Sequence, residues 1–302
     1  MSADWLAEPG HHLLRPGDDD FPELLEQIPG PPEQLFVNGD PAALHLPAIA
    51  IVGSRNPTQG GLRNAFEFAR HLGRQGFCIV SGLAQGIDTA AHQGALEAGA
   101  MTVAFLGHGV DRVYPASNHG LAREVARRGA LVSEFPLGMH PARELFPQRN
   151  RLISGLSLGT LVVEAARRSG SLITARLASE QGREVFAVPG SIHNPLSRGC
   201  HRLIREGAKL VETADDIVAE LAPLAGHLLQ SALKSTDKPQ VPEAADQEYE
   251  SIRKCLGHDP VSIDQLAEDS GLTIDQVSSM LLILELKGEV ESHAGGRYSL
   301  LP

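Results

Sequence analysis

The sequence has few cysteines and no long apolar run, and both absences narrow the class of protein. Its 302 residues include only Cys78, Cys200 and Cys255, which are far apart and form no C-x-x-C pair. We therefore expect reduced thiols in a cytoplasmic protein, rather than a disulfide framework or a zinc site. No apolar run approaches the roughly 18 residues of a membrane-spanning helix, and the first residues do not resemble a signal peptide. No membrane association is predicted.

Two nucleotide-binding fingerprints are also missing. The glycine-containing stretch VGSRNPTQGG, residues 52–61, matches neither G-x-G-x-x-G nor G-x-x-x-x-G-K-[ST], so the usual NAD and ATP motifs are absent. No His, Cys, Asp and Glu residues occur at metal-ligand spacing, and no nucleophile–base pair is evident. We predict no cofactor, no metal site and no catalytic residue.

The net charge of −11 is distributed unevenly along the chain. Residues 1–45 carry one basic and nine acidic side chains, and residues 225–302 carry six basic and thirteen acidic ones. Residues 46–224 carry 19 basic and 15 acidic side chains, and 18 of those cations are arginine. A basic excess that is confined to one block can still form a local anion site.

Short apolar runs alternate with amphipathic segments of helical length from residue 48 onward. The runs are nearly continuous in apolar residues, which is typical of parallel strands covered on both faces. This alternation predicts an α/β fold with a doubly wound parallel sheet over residues 46–224. Residues 1–45 are predicted to be a short, partly irregular lead-in with one or two helical turns near residues 22–27.

A polar, proline-containing linker is predicted over residues 225–247, followed by a small unit over residues 248–302. The small unit reads as three helices and a hairpin, which describes a winged helix. Ser262 and Thr273 are the expected N-caps of the second and third helices. Residues 246–302 contain four basic and eleven acidic side chains, so we predict a protein-contact or self-association module rather than a duplex DNA binder.

Three turns that contain glycine and serine follow predicted strands, and arginines lie in or near them. In a doubly wound sheet the carboxyl ends of the strands meet at one edge, where ligands bind. Several fixed arginines along such an edge suit a polymeric phosphate chain at least as well as a small ligand. The candidate DNA- and phosphate-binding residues are Gly53, Ser54, Arg55, Ser81, Gly82, Arg149, Asn150, Arg151, Arg167, Arg168, Ser169, Gly170 and Ser171.

Each of these signals also has an ordinary structural interpretation. Arg55 could be a solvated side chain in a turn, and Ser169–Ser171 could be a plain helix cap. Arg149 and Arg151 are two residues apart and would point to different faces of a helix. Asp88 and His92 share a helical face, so we interpret them as a structural pair in which His92 hydrogen-bonds Asp88.

Six motifs occur along the chain in this order: IVGSR, SGLAQGIDTAAH, VDRVYPASN, FPQRNRLISGLS, VVEA with SGSLITA, and VFAVPG. Together they resemble the DNA-processing protein A family, also called DprA or Smf. The resemblance implies an extended Rossmann-type domain that forms a homodimer and binds single-stranded DNA in a basic pocket. It also implies loading of RecA recombinase onto that strand during natural transformation, displacing or working alongside single-strand-binding protein. No turnover is expected from the family.

Two other functions stay open from the sequence. The stretch from Arg149 to Ala165 is similar to nucleotide phosphoribohydrolases of the lysine-decarboxylase-like fold, because Gly159, Thr160 and Glu164 are retained. However, Ser157 and Leu158 replace the upstream glycines of that motif, and Glu164 lies one residue later than in it. The other alternative is a scaffold whose pocket no longer binds a ligand.

Overall fold

The computed structural model describes residues 2–221 and, towards the C-terminus, residues 255–256, 261–274, 277, 280–281, 284, 290–293 and 297–300. The chain divides into two compact units, Met1–Ser235 and Thr236–Pro302. The predicted linker, residues 225–247, lies outside the described residues, and the predicted domain boundaries stay predictions. None of the described helices has the length and apolar composition that crossing a bilayer requires.

Seven parallel strands form most of a nine-stranded sheet, in the order β1-β2-β6-β5-β4-β3-β7-β8-β9, in which β1 is His11–Leu14 and β2 is Leu35–Gly39. Each of the seven falls within one of the predicted apolar runs, so the parallel α/β sheet is confirmed. Their bounds are β3 Ala48–Val52, β4 Cys78–Ser81, β5 Thr102–Phe105, β6 Ala130–Ser133, β7 Gly159–Val162, β8 Glu184–Ala187 and β9 Lys209–Leu210.

Helices cover both faces of this sheet. The helices of the larger unit are α1 Ser2–Leu6, α2 Glu23–Glu26, α3 Gln59–Arg74, α4 Ile87–Glu97, α5 His119–Arg128, α6 Leu145–Leu156, α7 Ser171–Glu180 and α8 Arg198–Arg205. Short 3-10 turns span Pro41–His45, Ala116–Asn118 and Pro195–Ser197, and residues 214–221 are also helical.

Strand β3 shows how the apolar runs separate two cores. Ala48, Ala50 and Val52 pack into the core that includes residues of α6 and α7, whereas Ile49 and Ile51 pack into the core beneath α3 and α4. Both isoleucines are fully buried, and each contributes about 1.5–3 kcal/mol of hydrophobic stabilisation. A run with apolar residues at every position is therefore needed to fill both layers.

The N-terminal lead-in has its predicted helical turn near residues 22–27, as α2, but it also contains two strands that the sequence did not predict. Strand β1, His11–Leu14, pairs antiparallel with β2, Leu35–Gly39, and β2 pairs antiparallel with β6. The prolines and aspartates that suggested irregular structure lie in the connections between these elements. Leu35 and Val37 are fully buried, so this segment is part of the main core.

The C-terminal unit contains a three-stranded antiparallel sheet and helix Ile263–Ser270. As predicted, Ser262 caps this helix by accepting the backbone N–H of Gln265, and Gly271 ends it in the left-handed conformation. The predicted hairpin is present as β11 Val290–His293 and β12 Arg297–Leu300, and β10 Val261–Ser262 adds a third strand. Ile274, after the predicted cap Thr273, is helical.

Candidate functional site

The turn after β3 is locked against the start of α4. A Cβ atom on Gly53 would lie 2.6 Å from the side chain of Ile87, so only glycine fits there. The backbone N–H of Ile87 donates to the carbonyl oxygen of Ser54 at 3.2 Å, and Gly86 adopts a φ of +82° beside the same turn. The contacts with Gly86 and Ile87 therefore fix the backbone of the turn that carries Arg55.

Arg55 lies over an aromatic ring at this carboxyl edge. Its guanidinium carbon is 5.3 Å from the centroid of Phe146, in the first turn of α6. Phe146 in turn lies beside Tyr114, with 6.0 Å between ring centroids, and Tyr114 is 47% exposed. We call Tyr114 and Phe146 the aromatic platform. An aromatic surface beside a fixed cation can stack a base and bind the neighbouring phosphate.

Arg149 lies beneath the platform and is only 4% exposed. Its Nη1 donates to the carbonyl oxygen of Phe105 at 2.6 Å, and its guanidinium carbon is 6.0 Å from the Phe146 centroid. The guanidinium also fills the space that a side chain on Gly82 would need. Burial lowers the pKa of Arg149 to about 10, with Asp88 acting in the opposite direction, so the group is still charged at neutral pH.

Asp88 is the buried carboxylate that compensates the charge of Arg149. It is 8% exposed, and its Oδ2 accepts the backbone N–H groups of Gly82 at 3.1 Å and Ala84 at 3.3 Å. Burial raises the pKa of Asp88, while the charge of Arg149 and these hydrogen bonds act in the opposite direction. Asp88 thus fixes the turn after β4 and balances a buried cation.

The predicted hydrogen bond between Asp88 and His92 is wrong. His92 Nδ1 lies 2.7 Å from Thr102 Oγ1, and the Thr102 hydroxyl donates to the carbonyl oxygen of Ile79 at 2.6 Å, so Nδ1 must carry the donated proton. Burial, followed by the charge of Arg149, lowers the pKa of His92 to about 3 and keeps the ring neutral. The spacing of four residues placed the two side chains on one helical face but did not show that each has another partner.

Ser81 and Gly82 use their polar groups inside the protein. The Ser81 hydroxyl donates to the carbonyl oxygen of Ile51 at 2.7 Å, and the Gly82 N–H donates to Asp88. Ser54 is half-buried, and its Oγ accepts the backbone N–H of Asn56 at 3.1 Å. Ser81 and Gly82 therefore support the edge, while the hydroxyl proton of Ser54 can still be donated to a ligand.

Two other predicted site residues, Arg151 and Asn150, also belong to α6. Arg151 Nη2 donates to Glu134 Oε2 at 2.5 Å, in a pair that is only partly exposed. Asn150 is half-buried. The expectation that Arg149 and Arg151 point in different directions is thus confirmed.

The turn after β7 contributes to a different cavity. Arg167 and Arg168 are exposed and line a cavity of about 780 Å³ between α7 and α8. Ser169 and Gly170 also line it, and the hydroxyl oxygen of Ser169 is 2.7 Å from that of Ser171. The five arginines were predicted to meet at one edge of the sheet, but the structure does not bring them into one pocket.

Glu164 is committed to a structural role. Its Oε2 accepts the backbone N–H of Thr58 at 2.8 Å, and its Oε1 accepts the Thr58 hydroxyl at 2.7 Å. The amide of Asn194 approaches Oε1 at 3.5 Å. This carboxylate joins the turn after β3 to the end of β7. Within the described part of the chain, no three His, Cys, Asp or Glu side chains are grouped so that they could hold a metal ion.

Sequence reasoning missed the aromatic platform. Phe146 precedes Arg149 by three residues, which is the spacing of neighbours on a helix, so an aromatic–arginine contact could have been expected. Tyr114 gives no comparable signal, because its loop meets α6 only in the folded chain.

The chain matches known protein families over most of its length. Residues 12–222 match the family model for DNA recombination-mediator protein A, and residues 236–296 match that for the DprA winged helix domain. Protein Smf from Escherichia coli (strain K12) is 42% identical over 293 residues, which cover 97% of this chain and 78% of that protein. DNA processing protein DprA from Streptococcus pneumoniae is 46% identical over 220 residues, covering 73% and 77% respectively.

Two solved structures share the fold. The X-ray structure of DNA processing protein A from Streptococcus pneumoniae has a TM-score of 0.69 and 43% identity, and the match covers 72% of this chain and 76% of that one. A structure of DNA processing protein A from Helicobacter pylori, which concerns its single-stranded DNA binding mode, has a TM-score of 0.64 and 30% identity, covering 70% and 96%. The chain therefore belongs to the DNA recombination-mediator protein A family, with an extended Rossmann-type domain and a C-terminal winged helix.

Proposed function

We propose that this protein is a recombination mediator that binds single-stranded DNA through Arg55 and the aromatic platform. The observation that carries the proposal is the exposed Tyr114 beside Phe146, with the Arg55 guanidinium over the Phe146 ring. Every base has a face that can stack on such rings, and a fixed cation attracts the backbone phosphate. A duplex keeps its base faces stacked on one another, so a single strand is the better ligand.

The proposed function is non-catalytic binding. Two buried carboxylates at this edge of the sheet are already engaged, because Asp88 accepts two backbone N–H groups and Glu164 accepts both donors of Thr58. A phosphoribohydrolase would need Glu164 to reach a ribose, which would break its contacts with Thr58. The hydrolase alternative is therefore disfavoured.

The family resemblance extends the proposal to partners. The protein would load RecA recombinase onto incoming single strands during natural transformation, displacing or working alongside single-strand-binding protein, and would act as a homodimer. The acidic winged helix would serve as a protein-contact module. A cytoplasmic setting agrees with the free thiols of Cys78 and Cys200, whose pKa values burial raises to about 12 and about 11.

The test is binding of a labelled oligo-dT of about 30 nucleotides by fluorescence anisotropy across a salt series, beside a duplex of equal length. We expect the single strand to bind more tightly. Arg55→Ala should weaken its binding about tenfold and reduce the slope of log affinity against log salt by about 0.7, because one phosphate contact is lost.

Arg74→Ala is the matched control, because Arg74 is an exposed arginine in the last turn of α3, far along that helix from the turn after β3. Its affinity and salt slope should equal those of the wild type. If the wild type ignores the single strand at low salt, or if both variants behave alike, single-strand binding at Arg55 is refuted. Addition of RecA to the preformed complex then tests loading, with RecA filament formation as the readout.

A further inference from the structure

A second cavity in the larger unit combines a cationic rim with an apolar floor. We call it the α7–α8 cavity, because residues of these two helices line it together with the first residues of β8. Its volume is about 780 Å³, which lies within the roughly 300–1,000 Å³ that small-molecule sites occupy.

Positive charge dominates the rim. Five arginines and two glutamates line the α7–α8 cavity: Arg167, Arg168, Arg176, Arg183, Arg202, Glu184 and Glu206. Two of the arginines have carboxylate neighbours, since Arg202 pairs with Glu206 at 2.8 Å and Arg176 with Glu180 at 3.6 Å. The other three arginines have no carboxylate partner among the described residues. An anion could therefore bind without displacing an existing ion pair at those three positions.

Arg183 is the most firmly held of the three unpaired arginines. It is half-buried, and its Nη2 donates two long hydrogen bonds of 3.4 Å to the carbonyl oxygens of Leu24 and Gly155. Its Nε is buried and has no hydrogen-bond partner. A cation with weak hydrogen bonds and no carboxylate nearby gains more from an anion than a solvated surface arginine does.

The floor of the cavity is apolar. Leu172 and Ile173 contribute from α7, Val185 from β8, and Leu203 and Ala208 from α8 and the residues after it. A bare phosphate would leave this surface in contact with water. A ligand that carries both a flat ring and a phosphate would cover the floor and meet the arginines at the same time.

We propose that the α7–α8 cavity is a second nucleotide site, which takes a nucleoside phosphate with its base against the apolar floor and its phosphate among the arginines. Strands β3 and β7 are neighbours, so the turn that carries Arg167 and Arg168 lies next to the turn that carries Arg55. The nucleoside phosphate is then a unit of the same DNA strand, which rests on the proposed function, or a free nucleotide.

Oligonucleotide length separates the two sites. Arg167→Ala/Arg168→Ala removes two of the three unpaired cavity cations, and Arg198→Ala/Arg205→Ala removes two exposed cations of α8 that do not line the cavity. Binding of dT6 and dT30 is measured by anisotropy, because single-strand sites span about 4–16 nucleotides. We expect the cavity variant to bind dT30 about tenfold more weakly, to lose about 1.4 from its salt slope, and to bind dT6 as the wild type does. The control should match the wild type for both.

A calorimetric titration with dTMP identifies the source of the ligand. Binding of dTMP by wild type and control, but not by the cavity variant, assigns the site to free nucleotides as well. No dTMP binding together with the loss for dT30 assigns it to a unit of the bound strand. If the cavity variant equals the control for every probe, the second site is refuted. If the wild type binds no oligonucleotide, the proposed function fails, and the dTMP titration alone decides the cavity.

Discussion

Arg55 and Arg149 both lie against Phe146, yet their surroundings differ completely. Arg55 is exposed, and the ring contact with Phe146 holds it above the sheet edge. Arg149 is almost fully buried and donates to the carbonyl oxygen of Phe105. The exposed arginine can exchange water for a phosphate, whereas the buried one is already desolvated and holds the turn after β4 against α6. The exposed Arg55 is therefore suited to binding and the buried Arg149 to supporting the fold, although the two side chains are chemically identical.

Substitutions of the residues that contact the buried Arg149 should reduce both stability and DNA binding. The largest effect is expected at Asp88. Asp88→Ala removes the counter-charge of Arg149 and the acceptor of two backbone N–H groups. We expect a loss of about 3–5 kcal/mol in the free energy of unfolding, because an uncompensated buried charge remains. Urea unfolding measures it. Asp19→Ala, at an exposed position, is the control, and equal effects of the two would contradict the supporting role.

Gly82→Ala should be next in size. The added methyl would overlap the guanidinium of Arg149, and overpacking of this kind costs up to about 3 kcal/mol. Gly120→Ala is a matched control, because Gly120 lies in α5 with no atom within 4 Å of an added Cβ and should gain about 0.4–1 kcal/mol. Thermal unfolding should therefore move in opposite directions for the two variants; a shift in the same direction would mean that Arg149 does not fill this space.

The third effect concerns pH. The folded-state pKa of His92 is about 3, below the ordinary histidine value of 6.5, so the unfolded state binds the extra proton between these values. The stability that neutral His92 contributes is complete above pH 6.5 and falls as the pH falls towards 3. Between pH 7 and pH 5 this amounts to about 2 kcal/mol. His92→Gln should lose that much less stability over the interval than the wild type, whereas His119→Gln, at an exposed position, should follow the wild type.

The smallest effect is expected at the aromatic platform. Phe146→Leu keeps an apolar side chain but removes the ring under Arg55, so oligo-dT should bind about tenfold more weakly, or about 1.4 kcal/mol. The melting temperature should change less than in Asp88→Ala. Phe146→Trp, which keeps a stacking surface, should retain affinity. A large loss of stability with unchanged DNA binding would mean that Phe146 supports the fold and does not contribute to the DNA-binding surface.

The sequence predicted the parallel sheet well because burial on both faces leaves a strong mark. The run AIAIV has no polar residue, and the one polar side chain of GTLV, Thr160, is itself buried; the structure shows strands at both. The N-terminal strands were missed for the same reason. His11, His12 and Asn38 interrupt the apolar pattern, since β1 lies at the edge of the sheet and only the end of β2 is partly exposed.

The site was predicted by residue type but not by arrangement. Glycine turns and arginines identified the carboxyl edge, because any doubly wound sheet presents its turns there. Which arginine is buried depends on the crossing of α6 over β5, and which carboxylate is engaged depends on contacts such as Thr58 with Glu164, 106 residues apart. Pairings over that distance leave no periodic signal in the sequence.

The antiparallel pairing of β2 with β6 has a consequence for synthesis of the chain. Gly39 pairs with Ala130, about ninety residues later, so the N-terminal strands leave the ribosome long before their partner exists. At about 5–20 residues per second, they wait roughly 5–20 seconds. Throughout that interval the apolar side chains of β2 lack the core that later buries them. A chaperone that held β2 during this interval would keep these apolar side chains from other contacts until β6 has been made.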